Sequence, residues 1–395
     1  MRVHHGRLVL RLTRCSRTVG PVIGAALIAV LPASASAPAL EVVARNLDNP
    51  RHLFAAPDGA VYVVEAGHGG DDTCTGTVRN VICVGRSGAI TRIANRTQRR
   101  VVTGLVSWAT PALQRAQGAA AVLVHGAVYD VLLGDAFANA RGDNLFGPDG
   151  VVAGDLIATP AGAAAPRVIA NLGAFEVAHD PDHGAGPGAR FGDPSVDSNP
   201  YALAAYRGGF AVVDAAANDL LWVSPKGKIS LLAVFPTQTE TLTRVDAARI
   251  GAPPTMRSIR VQSVPSCVAV GPDGALYVGE LTGRPYQPGR ARIWRIVPGR
   301  KPLLYASGFT NISDCAFDGR DLLVLEVADR GLYDPSSTGA LIQLAPNGAR
   351  SVLAKAGLVY PTGLAVAHGA IYIANYGFSP GIGPGPHGEV VELRR

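Results

Sequence analysis

The sequence predicts an all-β chain: a six-bladed β-propeller of four-stranded antiparallel blades, closed by an N-terminal strand that completes the C-terminal blade. Three observations carry this expectation. A hairpin unit recurs along the 395 residues, and its copies are spaced as blades are. The last copy is one strand short, while a spare strand stands at the opposite end of the chain.

The hairpin is clearest from Val264 to Glu280, where two β-rich runs flank the turn Pro272-Asp273-Gly274. It returns from Tyr360 to Asn375 and is visible again from Asn49 to Glu65. A third strand follows each hairpin, as in Ala291–Ile296, and a fourth follows that, as in Pro302–Ala306. Second strands are expected to start at Val61, Val128, Phe210, Leu276, Leu322 and Ile371. The stretch Gly118–Gly134 is broken by His125-Gly126 and Asp130, and reads as two strands of a degenerate second unit. The sixth unit supplies Gly363–Val366, Ile371–Ala374 and Glu389–Leu393, and then the chain ends. The run Leu40–Leu47 resembles the missing fourth strand. Pairing the two would protect edges that otherwise template aggregation. A pair of β-sandwiches would need a linker between halves, and none is visible.

Successive second strands lie 67, 82, 66, 46 and 49 residues apart, against about 40–50 for a minimal blade. The excess falls in 66–87, between second and third strands, and in 171–197 and 236–263, between blades. In an up-and-down blade those two kinds of connection emerge on one face. The opposite face keeps tight turns: Pro57-Asp58-Gly59, Pro225-Lys226-Gly227, Pro272-Asp273-Gly274 and Pro346-Asn347-Gly348. Long loops on a rigid scaffold are where binding surfaces are built, so the long-loop face is the expected functional face.

The N-terminus gives an address. Residues 1–18 are Arg-rich, Val19–Leu31 is apolar, and small residues follow from Ala33 to Ala37. That order is a secretory signal peptide, taken as residues 1–37 with cleavage after Ala35 or Ala39, and the propeller then occupies 38–395. Val19–Leu31 is too short for a comfortable membrane span, and no other uninterrupted apolar run reaches that length. The expected product is a secreted, extracytoplasmic monomer without a transmembrane segment.

Cysteine usage agrees with export. Setting aside Cys15 leaves Cys74, Cys83, Cys267 and Cys315, a sparse even set that suggests two disulfides with three possible connectivities. A Cys74–Cys83 bridge would pin a Gly-rich loop. Cys267 and Cys315 fall on first strands of consecutive blades, offset by one repeat position. Side chains alternate along a strand, so the offset points one cysteine forward and the other backward across the blade interface.

The formal charge of +6 is misleading. Arg2, Arg7, Arg11, Arg14 and Arg17 precede residue 38, where there is no acid, and the remainder carries a net charge of +1. A nucleic-acid partner is not expected.

Several short motifs occur in a characteristic order: Asn46-Leu-Asp-Asn-Pro-Arg51, Tyr62-Val-Val-Glu-Ala-Gly67 with Gly70-Asp71, and Asp197-Ser-Asn-Pro-Tyr201. Asn218-Asp219-Leu220-Leu221, Val278-Gly-Glu-Leu-Thr-Gly283 and Gly308-Phe-Thr-Asn311 follow. Together they make residues 41–395 resemble the ScyD/ScyE family of exported bacterial propellers. The resemblance implies a six-bladed propeller with NHL-like repeats, and it supplies no general reaction. His52 stands where the family usually has Gly, Tyr201-Ala202-Leu203 replaces the usual Tyr-Gly-Leu, and the second unit lacks a Pro-Asp-Gly turn.

Candidate chemistry concentrates at strand ends. Second strands end in a polar residue at one repeat position: Glu65, Asp214, Glu280, Glu326 and Asn375, with Asp135 an approximate match. Such oxygens around a channel mouth would suit Ca²⁺, which takes six to eight oxygen ligands and can polarise a carbonyl. Alternatively, a repeated acid accepts loop N–H groups and holds each blade in shape. Asn49, Arg51, His52, Asn199, Asn311 and Asp314 begin first strands on the same face and are candidate binding residues, His52 also a candidate base. His179-Asp180-Pro181-Asp182-His183 places two His and two Asp within five residues. Pro181 and the Gly-rich stretch after it make this a loop with no fixed helical face, so a structural role is expected. No Gly-x-Ser-x-Gly elbow or Walker-type phosphate-binding loop is present. Two readings follow: a propeller binding a small molecule or extracellular protein without catalysis, or a Ca²⁺-dependent hydrolase or pigment-forming enzyme. A third, an extracellular scaffold, has no sequence feature to place its surface.

Overall fold

The computed structural model describes residues 40–77, 80–110, 115–135, 153–162, 166–184, 197–378 and 386–394. These fall in one compact unit spanning Ala37–Arg395. The expected signal segment, residues 1–37, lies outside the described residues. Among the described residues, no helix is long and apolar enough to cross a membrane.

The described chain is nearly all β. It opens with β1 (Glu41–Leu47), β2 (Pro50–Ala55), β3 (Val61–Glu65), β4 (Thr73–Thr77), β5 (Asn80–Ala94) and β6 (Thr97–Thr110). Next come β7 (Arg115–His125), β8 (Val128–Leu133), β9 (Asp155–Pro160), β10 (Arg167–Asn171) and helix α1 (Leu172–His179). A third group holds β11 (Pro200–Tyr206), β12 (Gly209–Asp214), β13 (Asp219–Val223) and β14 (Ile229–Val234). The insertion after it folds as β15 (Gln238–Thr241), α2 (Arg244–Arg249) and β16 (Ser258–Val261). Then follow β17 (Pro265–Val270), β18 (Leu276–Glu280), β19 (Ala291–Ile296) and β20 (Leu303–Phe309). The chain continues through β21 (Ile312–Asp318), β22 (Asp321–Glu326), β23 (Ala340–Leu344) and β24 (Arg350–Ala354). It finishes with β25 (Gly363–Ala367), β26 (Ala370–Asn375) and β27 (Gly388–Arg394).

Strands β11–β14, β17–β20 and β21–β24 each make a four-stranded antiparallel sheet in chain order. The last such sheet runs β25-β26-β27-β1, with Glu41 opposite Glu392 and Val42 opposite Val391, so the N-terminal strand completes it. The first two units are fused. The end of β6 pairs with the start of β7 through Ser107–Gly118 to Thr110–Arg115, joining both into one nine-stranded sheet. Within 66–87, expected as a loop, Thr73–Thr77 forms β4 and residues 80–87 lengthen β5 to 15 residues beside it. First strands touch in succession: β2 with β7, β7 with β11, β11 with β17, β17 with β21, β21 with β25, and β25 with β2.

Burial explains the strand compositions. Second strands such as β3, β12 and β18 are buried at every position, covered on both faces, and read as continuous apolar runs. Fourth strands such as β24 are largely exposed and need only partial apolar character. Between the β17–β20 and β21–β24 sheets the core is Cys267, Ile293, Phe309, Ile312, Leu322 and Val324. At about 25 cal/mol per Å² of apolar surface, each such large side chain contributes about 1.5–3 kcal/mol.

Cys267 and Cys315 are disulfide-bonded across that interface, with Cα atoms 5.7 Å apart. Gly279 is required beside the bridge, because a Cβ there would lie 2.8 Å from Cys267 Sγ and 2.9 Å from Ile312. Cys74 and Cys83 stand directly opposite on β4 and β5 and are bonded. The tight turns behave as their residues dictate: Gly274 takes φ +73°, and Asp273 Oδ1 accepts from Ala275 N at 3.2 Å.

Candidate binding site on the long-loop connections

The strand-end residues Glu65, Asp214, Glu326 and Asn375 share one local role. Each accepts a backbone N–H from the residues leading into its own first strand. The donors are Asp48 N at 2.8 Å, Asn199 N at 2.7 Å, Thr310 N at 2.7 Å and Val359 N at 2.7 Å, respectively. Glu65 further accepts from Thr91 Oγ1 at 2.6 Å and from Arg100 at 2.6 and 3.0 Å. Asp214 accepts also from Ser198 Oγ, Ala216 N and Ala217 N. Glu280 turns instead to β19 and its neighbour, taking Arg292 Nε at 2.7 Å and Trp294 Nε1 at 2.7 Å. Of the two readings of these acids, an ion ring or local support for each strand end, the local bonds fit the second. Among the described residues, one group of three His, Cys, Asp or Glu side chains has ligand atoms within 4.8 Å of one another, and Glu65, Asp214, Glu280 and Glu326 are not in it. The donors at each strand end engage these oxygens locally.

The first-strand residues divide. Asn49 and Asn311 adopt left-handed backbone, φ 52° and 45°, which Asn tolerates better than most residues. Asn49 Nδ2 donates to Gly67 O at 2.9 Å, and Asn311 Nδ2 to Leu281 O at 2.7 Å. Both therefore knit strand entrances to neighbouring loops. Arg51 is buried and donates to Ala116 O at 2.5 Å and to Gly377 O, bridging distant segments. His52 Nδ1 lies 3.2 Å from Ala120 O, its Nε2 lies 3.6 Å from Asp314 Oδ1, and its ring meets Tyr201 edge-on. Asp314 accepts from Cys315 N and Leu364 N, and burial pushes its carboxyl up to about 6. Arg51, Asn199 and Tyr201 share a recess of about 180 Å³ with Gln117, Ser266 and Ser313.

A larger cavity of about 940 Å³ shares Asn199, Ala215, Val264 and Leu281 with that recess. Its polar walls differ in sign: Asp135, Asp182 and Asp197 on some segments, Arg260 and Arg284 on others. Each wall comes from a connection. Asp182 follows α1, Asp197 precedes β11, Arg260 sits on β16 of the 236–263 insertion, and Arg284 follows β18. Arg260 is aimed by two bonds to Thr237 Oγ1 at 2.8 and 3.2 Å. Asp135, whose N–H donates to Asn199 Oδ1, is pushed up to about 7 by burial and then by the charge of Asp197.

Sequence reasoning singled out Asp180 and Asp182 but took their loop as structural. The structure ends α1 at that loop, so Glu176, one helical turn before Asp180, joins them in the close acidic group. Burial raises Glu176 to about 8, helped by the charges of Asp214, Asp182, Asp180 and Asp197. Asp219, at the start of β13, is fully buried and shifted well upward for the same reasons. Arg260 and Arg284 were also missed: the 236–263 insertion carries no motif, and Arg284 falls just past Val278–Gly283.

No family model matches the chain, and no curated protein does. Among solved structures, the PQQ-bound aldose sugar dehydrogenase of Streptomyces coelicolor is similar at 13% identity, covering 90% of this chain and 98% of its own, with a TM-score of 0.49. A calcium-binding regucalcin of Agrobacterium tumefaciens matches at 11% identity over 90% of this chain and 93% of its own, TM-score 0.48. Virginiamycin B lyase of Staphylococcus aureus matches at 12% identity over 90% and 100%, TM-score 0.34. These neighbours are β-propeller proteins.

Proposed function

We propose that the chain is a secreted six-bladed β-propeller of the ScyD/ScyE type that binds a small polar molecule on its long-loop face, acting as a monomer. The cyclic succession of first-strand contacts and the pairing of β1 with β27 support six blades and a ring closed by the chain ends. The motif order supports the family. The two disulfides fit an oxidising compartment.

The observation that carries the binding reading is the 940 Å³ cavity, to whose polar walls Asp182, Asp197 and Arg260 are supplied by the long connections 171–197 and 236–263. Its volume lies in the range of small-molecule sites, about 300–1,000 Å³. Acids on one part of the wall and Arg260 and Arg284 on another suit a ligand bearing both charges. The test is a thermal-shift screen of zwitterionic and aromatic metabolites on the wild type and Arg284→Glu. A ligand that stabilises the wild type and loses at least tenfold affinity in the variant supports the reading. A panel that stabilises neither protein, or a ligand indifferent to Arg284, rejects it.

The second reading, a Ca²⁺-dependent hydrolase, draws on the His52–Asp314 pair and on the acidic group that reaches the cavity through Asp182. Calcium-dependent turnover of lactones or esters, abolished by His52→Ala, would favour it over simple binding.

A further inference from the structure

Glu176, Asp180 and Asp182 present carboxylate oxygens within 4.8 Å of one another. Three like charges at that spacing need either protons or a cation. Independent observations point to the cation. Glu176 is 2% exposed, and its Oε2 has no hydrogen-bond partner. Asp219 is 0% exposed, and both of its oxygens lack one. A buried carboxylate without a donor is costly, and folds rarely leave one so unless something outside the chain completes it.

Among the described residues, the charges acting on these two groups include no counter-charge. The charged groups acting on Asp219 are Asp214, Glu176 and Asp182, and those acting on Glu176 are Asp214, Asp182, Asp180 and Asp197. All are acids. Asp214 is already saturated by Ser198 Oγ and three backbone N–H groups, so it is no ligand.

The loop is built to present these oxygens. Asp180 caps α1 in a left-handed conformation, φ 40°, and its Oδ1 accepts from Gly184 N at 2.7 Å. Asn218 Nδ2 holds Asp182 Oδ2 at 2.8 Å, while Asn218 Oδ1 accepts from Ser263 Oγ and Val264 N. Asn218 adjoins Asp219 in sequence, so the α1 loop and the start of β13 are brought to the same place.

We infer that Glu176, Asp180 and Asp182 bind one divalent cation of the calcium type, at the end of α1 and apart from the strand-end acids, with the buried Asp219 adding negative potential to the site. Three carboxylates with no Cys among them select a hard ion, and Ca²⁺ tolerates the irregular geometry of a loop site better than Mg²⁺. The ion would fix the end of α1 and set Asp182 in the cavity wall. This inference does not rest on the small-molecule reading, because it needs only the metal.

The test is calorimetric titration of chelator-treated full-length protein with CaCl₂ alone, alongside melting curves with CaCl₂ or MgCl₂. One Ca²⁺ per chain is expected, with Kd at or below about 1 mM, the range of extracellular sites. The melting midpoint should rise with calcium concentration, and less with magnesium. Glu176→Gln and Asp219→Asn should each weaken calcium at least tenfold, while Asp334→Asn, at a half-buried acid outside the group, leaves it unchanged. If a variant does not fold, the wild-type titration still decides. Neither heat nor a midpoint shift at about 10 mM Ca²⁺, an order above that range, overturns the proposal. So does unaltered affinity in both folded variants.

Discussion

Two sets of buried carboxylates in this protein share chemistry and differ in company. Glu65 and Glu280 are both 0% exposed, yet each is clamped by an arginine and by neighbouring N–H or O–H donors. Asp219 and Glu176 are equally hidden and have acids for charged neighbours. Burial is therefore not what marks a functional acid. What separates the sets is whether the fold itself supplies the donors. Where it does, the carboxylate is part of the framework. Where it does not, the group waits for a proton or an ion.

The comparison is broken most directly by deleting a clamped acid. Glu280→Ala should cost about 3–5 kcal/mol, because it strands a partly buried guanidinium that a fully buried carboxylate had paired. Arg292 would keep Pro236 O and the Trp294 ring, but it would lose both carboxylate oxygens, and Trp294 Nε1 would lose its acceptor. Urea unfolding of the variant measures this. A loss below about 1 kcal/mol, the level of an exposed pair, would show that the clamp contributes little and that the two sets are alike.

A smaller effect, of opposite origin, should appear when calcium is withheld. Burial raises Glu176 to about 8 and Asp135 to about 7, above their unfolded values near 4. Between those limits the folded state holds protons that the unfolded state has released. Stability should then fall as pH rises from about 4 to about 8. The loss is limited because protonation can neutralise each acid. Chelator-treated protein should show this slope in its melting midpoint. Glu176→Gln should flatten it, and calcium should restore stability at the alkaline end. A midpoint that climbs through this window would show that these acids are not held protonated in the fold.

Much of the framework was legible because it repeats. The expected second-strand starts Val61, Val128 and Leu276 coincide with β3, β8 and β18, and Phe210, Leu322 and Ile371 fall one residue inside β12, β22 and β26. The spare strand Leu40–Leu47 found its partner because edge pairing follows from a count of strands. The offset of Cys267 and Cys315 was readable from the two-residue period of a strand. The acids were legible as positions and not as roles. Glu65 and Glu280 recur where an ion ring would put them, but Arg100 and Arg292, which claim them, carry no signal of that pairing. Asp219 sat inside a quoted motif without standing out, since a missing donor is a property of space and leaves no pattern in the chain. Glu176 was hidden differently. The stretch 171–197 was taken as loop, whereas Asn171 caps α1 through Ala174 N and places Glu176 one turn before Asp180. An Asn followed by Leu-Gly-Ala-Phe-Glu was the available clue.

The smallest effect sharpens the comparison from the solvent side. Arg96 in the β5–β6 turn pairs with Glu41 of β1 at 2.7 Å, a contact as short as the Arg292–Glu280 one. Their side chains are 68% and 43% exposed, so water competes for both partners and two long side chains must be held still. A double-mutant cycle with Arg96→Ala and Glu41→Ala should give a coupling of about 0.5 kcal/mol or less. Raising salt to about 1 M, where screening acts within about 3 Å, should erase what remains. Glu280 loses little by the same salt, because its partner donates inside the fold. A coupling at Arg96–Glu41 that matched the buried clamp would mean that donor geometry alone fixes the strength of these pairs. Asp219 and Glu176 would then owe their condition to missing donors whatever their burial, and any exposed acid without a donor would be an equal candidate for the ion.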